Sequence, residues 1–291
     1  MKTLGTTLPD IYNGLLPESF LNLAPDESIA TCSNCVMTQQ HKAEYKSSRP
    51  KEWDKSISKF KHQFSPFTKC CTYYPFIPNY LVGAILQENP KHPDILELIR
   101  ECKYILPIGI CAPPGYQKKF NLKLATDFGT NTDLLCPFYK VQSGGCSVWK
   151  NRGHECSTFF CISSYGEAGE LFWSEVRDYL HHVEMVFSQQ SMIEKGFAPK
   201  EINNNLAYVK RPVDDNLSEW SMNAIEWSKA WIHHLDDVTG YFISCYDFVN
   251  DNKSKLMKSI ENYERQKKST DQGFFEYHFV GREIQKTHRN R

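Results

Sequence analysis

The 291-residue sequence predicts a mixed, mainly α chain, in which a cysteine-rich, loop-heavy metal-binding module packs against a helical C-terminal half. Three observations carry that expectation. Four cysteines, Cys136, Cys146, Cys156 and Cys161, fall within residues 136–161, separated by nine, nine and four residues. From Glu167 onward, apolar residues recur at helical spacing. A hydrophobic content of 41% with 23% charged residues fits a globular chain of this length, whose core needs no disulfide staples.

Taken in order, residues 1–29 are rich in Pro, Asp and Leu and read as an irregular lead-in. The cysteine-rich region is expected over 30–165. It opens on Cys32 and Cys35, whose C-x2-C spacing lets two thiolates of one tight turn reach one ion. Residues 38–62 are polar and charged and read as a surface insertion. Cys70 and Cys71 are adjacent. Vicinal thiols seldom bond to each other, because the preferred disulfide geometry is out of reach, but they serve as ligands where the backbone bends. A short helix is expected near Leu81 to Gln87, and another over Pro93 to Tyr104 with proline in its first turn. Residues 105–135, broken by Pro107, Gly109, Pro113, Pro114, Gly115 and Gly129, read as loop with one short strand around Phe120 to Ala125.

The helical region is expected over 166–291. Phe172, Val176, Tyr179, Leu180, Val183 and Phe187 mark one face of a helix from Glu167 to Lys195, with Gly196 as its stop. Ser218 reads as the N-cap of a second helix carrying Trp220, Ala224, Trp227, Trp231 and His234, running to about Val249 with a weak point at Thr239-Gly240. A more polar helix is expected over Ser254 to Lys267, and a terminal strand in FFEYHFVGREI.

The four thiols within residues 136–161 call for either disulfide partners or metal, and the chain has eleven cysteines in all. The first residues show no secretory signal pattern, so the expected compartment is the reducing cytoplasm, where disulfides are rare. An odd count also forbids complete internal pairing. The weight falls on metal, with eight candidate ligands in two clusters: Cys32, Cys35, Cys70 and Cys71, then Cys136, Cys146, Cys156 and Cys161. Soft thiolates select zinc or iron–sulfur clusters over hard cations. Cys136-Pro137 and the wide gaps lean toward iron–sulfur. Aromatic neighbours such as Tyr73, Tyr74, Phe138, Tyr139, Trp149, Phe159 and Phe160 would shield a cluster, or are ordinary core. Cys102 and Cys245 read as small buried hydrophobes, and Cys111 stands between the two roles.

These pieces, Cys32-Ser33-Asn34-Cys35, Cys70-Cys71, Cys136-Pro137-Phe138, Gly145-Cys146, Trp149-Lys150-Asn151-Arg152 and Cys156-Ser157-Thr158-Phe159-Phe160-Cys161, resemble the YkgJ-type family of bacterial zinc/iron-chelating domains. The resemblance covers about residues 30–36 and 64–161. It departs from the family in the 34 residues between Cys35 and Cys70 and in Gly153, where the family often has proline. It implies a chelating site built from the eight clustered thiols.

Other polar groups are weaker candidates. His181-His182 with Glu184, and His233-His234 with Asp236-Asp237, lie on predicted helices and could build a di-metal site, although surface histidines are the commoner outcome. Arg152, His154 and Glu155, between two candidate ligands, read as a solvent-facing turn, with contact to ligand sulfur or to a substrate as the alternative. With 34 basic and 34 acidic side chains, the chain gives no electrostatic case for nucleic acid, and no apolar stretch is long enough for a membrane. No dinucleotide or P-loop fingerprint and no H-E-x-x-H is present. The expected function is a cytoplasmic protein whose cysteines hold an iron–sulfur cluster or iron, with a redox or modifying-enzyme role on an unknown substrate or protein partner. The alternative is a zinc-binding structural or interaction module without catalysis.

Overall fold

The computed structural model describes residues 8–16, 35, 37–38, 63–161, 166–209, 219–232 and 234–268. Cys32, His233, Ser218, insertion residues 39–62 and the expected terminal strand lie outside them. What is described is mainly helical, with two small antiparallel sheets.

In the lead-in, a 3-10 turn at Asp10–Tyr12 places Leu8, Tyr12, Leu15 and Leu16 in the core. Strand β1 (Ile77–Pro78) runs straight into helix α1 (Asn79–Glu88). Asn79 makes that corner possible. Its amide nitrogen donates to the carbonyls of Pro107 and Ser188, and its amide oxygen accepts from the Tyr80 N–H, so a buried polar side chain is fully paired. Helix α2 (Pro93–Arg100) begins on its proline, where no N–H is needed. It stops at Arg100 rather than Tyr104, because Cys102 and Tyr104 both adopt positive φ, near 49° and 50°. Cys102 is therefore in a left-handed turn, not on a helical face.

Strands β2 (Ile105–Leu106) and β3 (Gly109–Ile110) complete a three-stranded sheet with β3 in the centre. The next segment corrects the expected loop and strand. Helix α3 spans Pro114–Asp127, and Phe120 lies within it. Pro114 sits in its first turn, so Pro113-Pro114 starts a helix instead of breaking one. Tyr116 and Phe120, one turn apart, stack at an interplanar angle of 13°.

A second sheet, β4 (Tyr139–Lys140) with β5 (Gly145–Cys146), forms a hairpin among the cysteines. One-turn helix α4 (His154–Ser157) follows. Helix α5 spans Gly166–Glu194, close to the 167–195 expected from periodicity. Phe172, Val176, Leu180, Val183 and Phe187, five of its apolar stripe, are completely buried. Helices α6 (Pro199–Val209), α7 (Ala224–Trp231) and α8 (Val238–Lys268) complete the described chain.

The break between α7 and α8 falls at 232–237, not at Thr239-Gly240. Asn223 caps α7 through the Glu226 N–H, and Ile232 leaves the helix at φ 47°. Asp237 then accepts from the Gly240 N–H at 2.8 Å, so Gly240 belongs to the first turn of α8. Beyond it α8 is continuous and includes the region expected as a separate helix. Helix α8 packs closely along α1 and also meets α5. Trp227 and Trp231 both donate their indole N–H to the Ile105 carbonyl, pinning α7 to the first sheet. Trp220, expected on the same stripe, is instead exposed. One hydrophobic core runs from Leu8 through to Ile260 and includes Cys35, Cys111, Cys136, Cys161 and Cys245. No helix among the described residues is long and apolar enough to cross a membrane.

Candidate metal centre

Three separate turns carry the cysteines toward one another. In the first, Lys69 takes φ 50°, a sharp bend that places Cys70 and Cys71. The Lys69 ammonium donates to the Gly144 carbonyl at 2.7 Å, tying this bend to the turn just ahead of Cys146. Gly144 itself has φ 63°, and a Cβ there would stand 3.2 Å from that ammonium. In the second, the Cys136 N–H donates to the Cys71 carbonyl at 2.8 Å, and β4–β5 pairing sets Tyr139 opposite Cys146. In the third, α4 docks on α5 and carries Cys156, with Cys161 just beyond.

Cys70 is the hub. Its sulfur accepts hydrogen bonds from the thiols of Cys161 and Cys71, and these contacts lower its pKa well below the usual thiol value in spite of burial. Cys35, Cys136, Cys146 and Cys156 each feel its charge as well. Two of the seven described candidates, Cys71 and Cys161, thus touch Cys70, and the other four lie within electrostatic reach of it. Cys32, the eighth, lies outside the described residues. All ten described cysteines are free thiols, so no disulfide accounts for the gathering.

Main-chain amides point at three of these sulfurs. Cys35 receives the N–H groups of Met37 and Thr38, Cys136 that of Phe138, and Cys146 that of Val148. Burial is the larger influence on each and raises its pKa, reaching about 12 at Cys136. The amides act in the opposite direction by favouring thiolate. Burial also raises Cys156 well above the usual range, with neighbouring Cys136 and Glu155 adding to it. Cys35 and Cys136 are buried, whereas Cys146 and Cys156 are partly open to solvent, and all four are held toward the neutral thiol.

Among the described residues the buried Tyr74 hydroxyl has no hydrogen-bond partner, and the charges it feels are those of Cys136, Cys111 and Tyr116. A thiolate beside it would supply the missing acceptor. Among the described residues, however, no three His, Cys, Asp or Glu side chains already stand in a metal-binding arrangement.

Cys245 is completely buried in α8, with its pKa raised to about 12 by burial, and bonds to Tyr241. Cys111 is buried beside Tyr74, near the cluster but raised by desolvation alone. Of the aromatic neighbours, Tyr74, Phe138 and Tyr139 are buried, whereas Trp149 and Phe159 are partly open to solvent.

The residues between the ligand candidates are not a solvent-facing turn. His154 is buried and bonds to Glu184 through Nδ1 at 2.6 Å. Glu155 accepts from the Tyr73 hydroxyl and, at 3.1 Å, from the Phe76 N–H. The Arg152 guanidinium lies 3.7 Å over the Trp149 ring. His181 and Glu184 do meet a histidine, but it is His154. His234 instead bonds to the Lys195 carbonyl at 2.9 Å and stacks on Phe197.

Comparison of the chain with family models, with curated proteins and with solved structures finds no match.

Proposed function

We propose that this chain is a metal-binding protein whose converging thiols hold an iron–sulfur cluster or iron. The observation that carries the reading is that separate turns bearing cysteines are tied together: the Cys136 N–H donates to the Cys71 carbonyl, and the Lys69 ammonium beside Cys70 donates to the Gly144 carbonyl just ahead of Cys146. Four thiolates serve a structural zinc and an iron–sulfur cluster alike, so the number of cysteines does not choose between them. Cys136-Pro137 and the wide gaps lean toward a cluster, and the N–H groups at Cys35, Cys136 and Cys146 are the kind of bond that tunes its potential. When bound, such a centre supplies one-electron transfer or an electrophilic iron. The chain's own residues would ligate it, direct amides at its sulfurs and exclude water with Tyr74 and Phe138. A redox or modifying-enzyme role follows from that chemistry, on a substrate or protein partner still to be identified.

Zinc is the second reading, because an all-thiolate donor set suits it equally and the metal would then act by stabilising the fold. Absorption spectroscopy on freshly purified full-length protein separates the two. A brown protein with broad visible absorbance supports iron–sulfur, and a colourless, zinc-loaded protein supports the alternative.

A further inference from the structure

A second group of side chains of metal-ligating type, separate from the cysteines, meets where α4 abuts α5. Glu184 is completely buried. It accepts from the Tyr12 hydroxyl at 2.5 Å, from the main-chain N–H of His154 at 2.8 Å and from His154 Nδ1 at 2.6 Å. A carboxylate accepts, so His154 Nδ1 carries a proton; in the neutral ring Nε2 then holds the lone pair, and a bound cation takes the place of the second proton that Glu184 otherwise favours there. His181 lies one turn before Glu184 on α5, on the same side of the helix. Its ring centroid is 4.9 Å from that of His154, tilted by 54°. His181 is exposed, so an ion reaching the pair need not cross the core.

We propose that His154 and His181 form a nitrogen-donor site for a divalent transition-metal ion, separate from the thiols. Glu184 stands behind His154 as the carboxylate that fixes its tautomer and ring orientation. Carboxylate-supported histidine is how metal-ligating imidazoles are commonly held. Imidazole suits zinc, copper, iron and nickel. With two protein donors, water completes the coordination, and Asp178, a further turn back on α5, adds negative charge beside His181. The room at Gly153 matters to this arrangement: a Cβ there would stand 2.9 Å from the Phe76 carbonyl and 3.7 Å from a Glu184 oxygen.

The test is an anaerobic titration of the full-length protein, as purified, with Co²⁺, followed by calorimetry and visible absorption. The expected result is one Co²⁺ per chain that binds without a sulfur-to-cobalt charge-transfer band. His181→Ala, at an exposed position, weakens that event at least tenfold. His182→Ala leaves it unchanged, and Glu184→Gln weakens it about 10- to 100-fold in protein that retains its circular dichroism. If Glu184→Gln unfolds the chain, His181→Ala decides alone. The absence of any cobalt event free of sulfur charge transfer, or an event indifferent to His181→Ala, overturns the proposal. Neither result bears on whether the cysteines hold iron or zinc.

Discussion

Gly83 of α1 lies directly against the Phe242 carbonyl of α8: a Cβ at Gly83 would stand 2.0 Å from that oxygen and 2.8 Å from the Tyr246 Cβ. The two helices cross backbone to backbone here, which is why their contact is so extensive. The Gly83→Ala substitution should force them apart at a cost of about 2–3 kcal/mol, in spite of the better helix propensity of alanine. Urea denaturation should show a lower midpoint with an unchanged slope. A midpoint equal to or above wild type would contradict the close crossing.

Glu184 joins three parts of the chain: Tyr12 from the lead-in, His154 from α4 and its own helix α5. The Glu184→Leu substitution removes the acceptor for three buried donors at once. The expected loss is about 3–5 kcal/mol, larger than the effect of deleting any exposed ion pair such as Arg177–Asp178. Chemical denaturation of the two variants side by side measures the difference. Equal, small losses would mean that the carboxylate is not the hub of this junction.

Much of this was legible in the chain. The stripe from Phe172 to Phe187 located α5 to within one residue at each end, because a strong 3.6-residue period needs no tertiary information. Helix α3 was not legible, because Pro113-Pro114-Gly115 reads as a breaker unless Pro114 is known to occupy the first turn. The α7–α8 break lies at 232–237, just ahead of the expected Thr239-Gly240, because the turn rests on Ile232 and the Asp237 cap rather than on Gly240. Cysteine spacing marks eight thiols as candidates, of which Cys32 lies outside the described residues, and nothing local marks Cys70 as the one that accepts from Cys71 and Cys161. The His154–Glu184 bond spans 30 residues and leaves no periodic mark in the sequence, so the turn around His154 was expected at the surface.

The division between ligand candidates and spare thiols is testable by substitution. Replacing Cys146 or Cys156 with Ser should release metal and lower the melting temperature. The Cys245→Ser substitution should leave metal content at the wild-type level, since Cys245 sits within α8 and bonds to Tyr241. Metal quantitation on the three purified variants checks this, and equal loss in all three would contradict the assignment.

Thiol reactivity offers an independent reading. Burial raises Cys245 to about 12 and raises Cys111 as well, so both should resist iodoacetamide at pH 8 until the fold opens. In protein treated with a chelator under mild conditions, Cys70 should be alkylated first among the described cysteines, because Cys161 and Cys71 favour its thiolate. Peptide mapping by mass spectrometry gives the order. Labelling of Cys245 as fast as Cys70 would contradict it.

The most direct measurement is the quantity of iron, zinc and acid-labile sulfide per chain in anaerobically purified full-length protein. The thiol-centre account predicts iron and sulfide in stoichiometric amounts, both lost in Cys146→Ser; stoichiometric zinc without sulfide would move it to the structural alternative. A folded wild-type protein holding neither iron nor zinc would contradict the central claim that these sulfurs gather around a metal.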